Sequence, residues 1–152
     1  MLELNLSYKQ FCIFNYDLEN PFNNWNDSHV QQGFVIRENS ISVMTISTEG
    51  ILCIDILSDD RIIDKAQRII EFDFTVVNDV VEIATITDSF RIKIKNGQYK
   101  IRVQLFSESD GKDICFISFL KKQENEILPK YIKFDSEIKR VSDFDLYGEP
   151  AL

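Results

Sequence analysis

Apolar and polar residues alternate with a period of two over most of this chain, which predicts strands with one face buried and one face wet. Leu2, Leu4, Leu6 and Tyr8 alternate with Glu3, Asn5 and Ser7, and the run QFCIFNY follows almost at once. ISVMTIS (41–47) and GILCIDIL (50–57) flank a short Thr-Glu-Gly break and predict a hairpin. SDDRIIDKA (58–66) reads as a polar connection. Ile70, Phe72, Phe74 and Val76 alternate with Glu71, Asp73 and Thr75, and VVEIATI (80–86) follows the turn residues Asn78 and Asp79. FRIKIKNGQYKIRVQLF places Asn96-Gly97 between two alternating runs and predicts a second hairpin with a type I′ turn. Its polar positions Lys93, Lys95, Lys100 and Arg102 would form an outer sheet face. Ser109-Asp110-Gly111 leads into DICFISFL (113–120), YIKF (131–134) is a last short strand, and the acidic tail beyond about residue 140 reads as peripheral. The expectation is an all-β antiparallel sandwich of nine or ten strands, forming one domain over residues 1–152.

One stretch breaks the alternation. ENPFNNWNDSHVQQGF (19–34) holds the only Trp and the only His. Asn26, Asp27 or Ser28 can cap a short helical turn near residues 27–32, with Gly33 as its stop. His29 would then be exposed or half-packed on that turn. Pro21 restricts Asn20 to extended conformations. Trp25 and Phe34 are large enough to clamp the loop to the sandwich, and Arg37 suits loop carbonyls or a pair with Asp27.

Composition narrows the function classes. The net charge is −8, and it is uneven: residues 1–60 carry nine acids and two bases, a net of −7. A chain this acidic is a poor nucleic-acid binder, because phosphate binding needs Lys and Arg to release counterions. A basic protein partner fits better, since opposite fields steer association. Cys12, Cys53 and Cys115 are widely spaced among apolar neighbours, which predicts buried reduced thiols rather than a disulfide framework or zinc site. The N-terminus MLELNLSYKQ has no basic and apolar leader pattern, and no apolar run is long enough to span a membrane. A cytoplasmic location is expected, with any membrane association made through a partner.

Catalytic constellations are thin. A single His without a Gly-x-Ser-x-Gly or comparable nucleophile does not make a triad, and the five scattered Gly residues match no phosphate-binding loop. Asp59, Asp60 and Asp64, like Glu108, Asp110 and Asp113, cluster without the spacing of an EF-hand. No enzyme, cofactor or metal is expected. A sugar- or divalent-ion-binding sandwich is the alternative class, and a carboxylate enzyme with His29 as base is a third.

The spacing W-x-D-x-H-x-x-Q-G-F-x-x-R, from Trp25 through Asp27, His29, Gln32, Gly33 and Phe34 to Arg37, resembles the competence protein J (ComJ, or Nin) family. Ser7-Tyr8, Gln10-Phe11, the EIA of 82–84 and the NGQYKI of 96–101 extend the resemblance over about residues 2–120. It implies a non-enzymatic protein that binds and inhibits a DNA-entry nuclease of the competence system, forming a hetero-oligomer with it. In that setting Trp25 and His29 would stand at the rim of the contact, with Asp27, Asp59 and Asp60 supplying charge. Pro21, Trp25, Gln32, Gly33, Phe34 and Arg37 would brace the motif.

Overall fold

A computed structural model describes residues 1–152. Eleven strands and one short helix follow in the order β1 (Leu2–Leu6), β2 (Gln10–Asn15), α1 (Asp27–Gln32), β3 (Phe34–Arg37), β4 (Ser40–Met44), β5 (Gly50–Leu57), β6 (Arg68–Val76), β7 (Val80–Ala84), β8 (Ser89–Lys93), β9 (Gly97–Ser109), β10 (Lys112–Lys121) and β11 (Lys130–Lys133). They form two sheets, β1-β5-β10-β9-β6-β11 and β3-β4-β2-β7-β8. The all-β expectation holds, with one or two strands more than the period indicated. All pairings are antiparallel except that of β5 with β10, which is parallel.

Alternation sets the core. Leu4, Leu52, Ile54, Phe72, Ile101, Val103 and Ile117 from the six-stranded sheet meet Phe11, Ile13, Phe34, Ile41, Val43 and Ile83 from the five-stranded sheet in one buried cluster. Burial of such side chains stabilises by roughly 1.5–3 kcal/mol each, an upper range because unfolded chains are already partly collapsed. Residues between these positions point away from the core. That rule places the irregular connections: residues 19–26 cross the outside of the five-stranded sheet, and residues 58–66 cross the outside of the six-stranded sheet.

Both hairpins expected around residues 41–57 and 90–105 are instead crossings between sheets. β4 lies in the five-stranded sheet and β5 in the six-stranded one. The backbone between them is received by inward-facing charged residues of the opposite sheet. Arg68 Nη1 donates to the carbonyls of Met44 (2.9 Å) and Thr45 (3.3 Å), and Asp113 Oδ2 accepts from Ile46 N (2.7 Å) and Ser47 N (2.9 Å). The same separation divides β8 from β9. Asn96 there does not build a type I′ turn: it exchanges bonds with Asp79, Asp79 N donating to Asn96 Oδ1 (2.6 Å) and Asn96 N to Asp79 Oδ1 (2.8 Å). A period of two cannot distinguish a hairpin from a crossing, because both sheets present their apolar face to the same core.

The four basic residues expected on one hairpin face therefore part. Lys93 is exposed on the edge strand β8, whereas Lys100 and Arg102 enter a buried ion cluster on the outside of the six-stranded sheet. Arg102 Nε donates to Glu71 Oε2 at 2.8 Å and Lys100 Nζ to Glu126 Oε1 at 2.9 Å. The three thiols are free and buried. No helix is long and apolar enough to cross a membrane.

Candidate site at the signature motif and the C-terminal segment

The motif begins with a buried polar seam against the outside of β2 and β4. Cys12, Ser40 and Ser42 alternate with core residues and so face outward. Asn23 Nδ2 donates to Ser40 Oγ (3.2 Å) and Ser42 Oγ (2.9 Å), while Ser40 Oγ and Cys12 Sγ both donate to the Pro21 carbonyl. Burial pushes the Cys12 thiol up to about 11, against the opposing hydrogen bonds of Ser40 and Ser42. Arg37 donates to Asn23 Oδ1 and to the Asn20 carbonyl, so it ties loop groups rather than pairing with Asp27. Asn20 itself has a φ of 50°, the left-handed region rather than the extended form expected before Pro21. Asn tolerates that region better than most residues, and the bond from Arg37 to its carbonyl holds it there.

The helical turn forms at the expected place. Asn26 is its cap: Asn26 Oδ1 accepts from His29 N (2.9 Å), and Asn26 N donates to His29 Nδ1 (3.2 Å). This is a capping box with His in the position usually held by Glu or Gln. Gly33 ends the helix with a φ of 82°. A Cβ there would also stand 2.7 Å from Ile138 Cδ1 and 2.9 Å from Tyr131 Oη, so both the backbone angle and the close approach demand glycine.

His29 is 3% exposed, which overturns the exposed or half-packed position expected for it. Its Nδ1 accepts from Asn26, so the proton of the neutral ring sits on Nε2, which donates to the Tyr147 carbonyl at 3.0 Å. Asp145 Oδ2 lies 3.4 Å from the same nitrogen. Both ring nitrogens are engaged within the fold.

That bond belongs to a larger docking arrangement. The acidic tail is not peripheral; its backbone is received by the motif residue by residue. Gln32, fully buried, donates through Nε2 to the Asp145 carbonyl (2.9 Å) and accepts from Asp145 N through Oε1 (2.8 Å). Asn24 N donates to Glu149 O and Ala151 N to Phe22 O, each at 2.9 Å, with an isolated β-bridge between Asn23 and Pro150. Lys139 N and Arg140 N both donate to Gln31 O. Phe144 packs on Phe34 with ring centroids 5.1 Å apart. A Cβ on Gly148 would stand 2.5 Å from Ile36 O, so the segment runs directly against the backbone of β3. Upstream, Arg68 Nη2 bonds Asp135 (3.0 and 3.1 Å) and Glu137 (2.9 Å). The Tyr147 N–H and then the Asn26 amide hold the Asp145 carboxyl below its ordinary range.

The exposed face above this scaffold is aromatic. Trp25 is half-buried, its Nε1 donating to Gln10 Oε1 at 3.0 Å. It separates two shallow grooves. One, of about 360 Å³, is lined by Tyr8, Lys9, Gln10, Trp25, Val30 and Met44. The other, of about 260 Å³, is lined by Asn24, Trp25, Asn26, His29, Tyr147 and Glu149. Tyr8 is 74% exposed and Tyr147 73%. Asp27 is exposed in the first turn of α1.

Asp59 and Asp60 are not brought to this face. Arg102 Nη1 holds the Asp60 carbonyl, Gln104 Nε2 holds the Arg61 carbonyl (3.0 Å), and Gln104 Oε1 accepts from Ile63 N (2.8 Å). Arg102 and Gln104 alternate with the core residues Ile101, Val103 and Leu105, so they point away from the core. The two aspartates thus lie outside the six-stranded sheet, across the sandwich from Trp25 and Asp27. Of the residues expected to brace the motif, Pro21 and Arg37 lie at the polar seam, Gly33 ends α1, Gln32 and Phe34 receive the tail, and Trp25 bonds Gln10. Asn23, Asn24, Phe144 and Tyr147 were missed. Their roles depend on partners as far as 126 residues away in sequence, and only the density of Asn around Trp25 signalled side chains that bond on two sides. No group of three or more His, Cys, Asp or Glu side chains is placed to hold a metal ion.

Comparison with known proteins gives consistent results. The family model described as Competence protein J (ComJ) matches residues 3–130. Among solved structures, the chain is similar to the crystal structure of ComJ, inhibitor of the DNA degrading activity of NucA, from Bacillus subtilis. That match has a TM-score of 0.68 and 21% identity, covering 80% of this chain and 94% of that one. A protein described as crocagin biosynthetic gene J also matches, with a TM-score of 0.52 and 10% identity over 80% of this chain and 96% of that one. No curated protein sequence matches.

Proposed function

The chain belongs to the competence protein J family, and on that premise we propose that it is a non-enzymatic inhibitor that binds and restrains a competence-associated DNA-entry nuclease. The family match over residues 3–130 carries this reading. The relative from Bacillus subtilis that shares the fold is an inhibitor of the DNA-degrading activity of NucA.

The motif face supplies the contact: Trp25 as an aromatic anchor and Asp27 as a charge beside it, with His29 acting from within by fixing the turn that presents them. Tyr and Trp are enriched at such contacts because they bring large area at low entropic cost. The net charge of −8 suits a nuclease whose DNA cleft is basic, since opposite fields speed encounter. Asp59 and Asp60, on the far side of the sandwich, contribute to that long-range field rather than to the same contact patch. The chain works without a cofactor and as one domain, in a hetero-oligomer with the nuclease, located in the cytoplasm or at a membrane through its partner.

The test is a titration of the chain into the NucA-type nuclease of the same organism, followed by DNA cleavage. Cleavage should fall in proportion to added protein until the nuclease is saturated. Undiminished cutting at saturating protein would sink the reading.

A further inference from the structure

We infer that the C-terminal segment is a working part of the docking surface, with Tyr147 and Glu149 forming one wall of the contact and the basic surface of the nuclease as its occupant. This rests on the inhibitor reading above and adds residues that lie beyond the matched region 3–130.

His29, Gln32 and the Asn24 amide all bond backbone groups of residues 145–149. Backbone recognition fixes the course of the segment and leaves its side chains free. Phe144 turns inward onto Phe34, and Tyr147 turns outward at 73% exposure. A segment serving only to cover the fold would bury its large apolar groups. Here a tyrosine is kept in water on a backbone tied at its own carbonyl, by His29 at 3.0 Å. Its backbone ordering is already complete before any partner arrives, which lowers the entropic cost of binding.

Position points the same way. Tyr147 and Glu149 share a groove with Trp25, and Tyr8 stands across Trp25 in the neighbouring groove. Three partly or largely exposed aromatic rings therefore bracket the two depressions. Charge selects the occupant. Glu149 lines one groove and Asp27 and Asp145 lie beside it; the one lysine lining the grooves, Lys9, is neutralised by Glu137 at 2.8 Å, and Arg140, near Asp145, offsets one of the three acids and leaves the face net negative. An acidic rim around aromatic anchors complements a basic protein surface.

Substitution at Tyr147 changes a side chain whose backbone carbonyl makes the structural bond, so folding is preserved and confirmed by an unchanged thermal midpoint. Calorimetric titration of the full chain against the same NucA-type nuclease should show Tyr147→Ala binding roughly tenfold to a hundredfold more weakly than the parent. Glu149→Gln should flatten the salt dependence of Kd. Ile127→Ala, on the exposed loop between β10 and β11, should match the parent. A parent chain that binds while Tyr147→Ala stays within about threefold of it overturns the inference and leaves the inhibitor reading standing. A parent chain that does not bind overturns both.

Discussion

Replacing His29 with alanine separates an architectural motif from a chemical one. The imidazole accepts from Asn26 N at 3.2 Å and donates to Tyr147 O at 3.0 Å, and it is almost completely buried. Each bond contributes about 1 kcal/mol net, and the cavity left by the almost fully buried ring adds about 1 kcal/mol or more. The sum is about 3 kcal/mol, which for a chain of this length lowers the thermal midpoint by roughly 6–12 °C. His29→Gln should recover about a third of the loss, because a Gln side chain closes the capping box but does not reach Tyr147 in the same way. Thermal unfolding followed by circular dichroism measures the midpoint, and amide exchange at residues 145–151 reports whether the tail has been released. A His29→Ala chain with a midpoint within about 1 °C of the parent and unchanged exchange in the tail would refute the clamp.

Three further outcomes follow from the same contacts. Arg68→Met removes the cation that bonds Met44, Thr45, Asp135 and Glu137, and should cost about 3–5 kcal/mol in chemical denaturation, since it strands the paired carboxylates and carbonyls. Cys12, with its thiol pushed up to about 11 by burial, should resist alkylation near pH 8 until the chain unfolds. Its linkage runs the same way: the stability tied to the neutral thiol is complete below the unfolded value of 9.0 and is lost as pH rises toward 11. Asp145 is held below its ordinary value of 3.8, so its contribution is present above that pH and is lost as pH falls through the lower folded value. The parent and Asp145→Asn should therefore converge in thermal midpoint as the pH drops below that window and differ above it.

The strands were legible because side-chain alternation is local, and the short helix was legible because Asn26, His29 and Gly33 carry its start and stop within eight residues. The sheet assignment was not. Gly97 and the Thr-Glu-Gly break look like hairpin turns in isolation, and only Arg68, Asp113 and Asp79, distant in sequence, reveal crossings between sheets. The tail was misread for a related reason. Residues 141–152 carry no period, because, apart from Phe144 against Phe34, their order comes from backbone bonds to Gln32, His29 and Asn24 rather than from burial of their own side chains. The same polar residues that looked like candidate chemistry in the motif are the receptors for that backbone. The separation of Asp59 and Asp60 from Trp25 was also invisible, since both segments lie outside a sheet and only the topology says which one.

The most direct test of the account is the footprint of the bound nuclease on the chain by amide hydrogen exchange. Added protection is expected at residues 8–10, 24–31 and 145–149, with residues 58–66 on the far side of the sandwich unchanged. Protection confined to residues 58–66, or none anywhere at saturating nuclease, would contradict it.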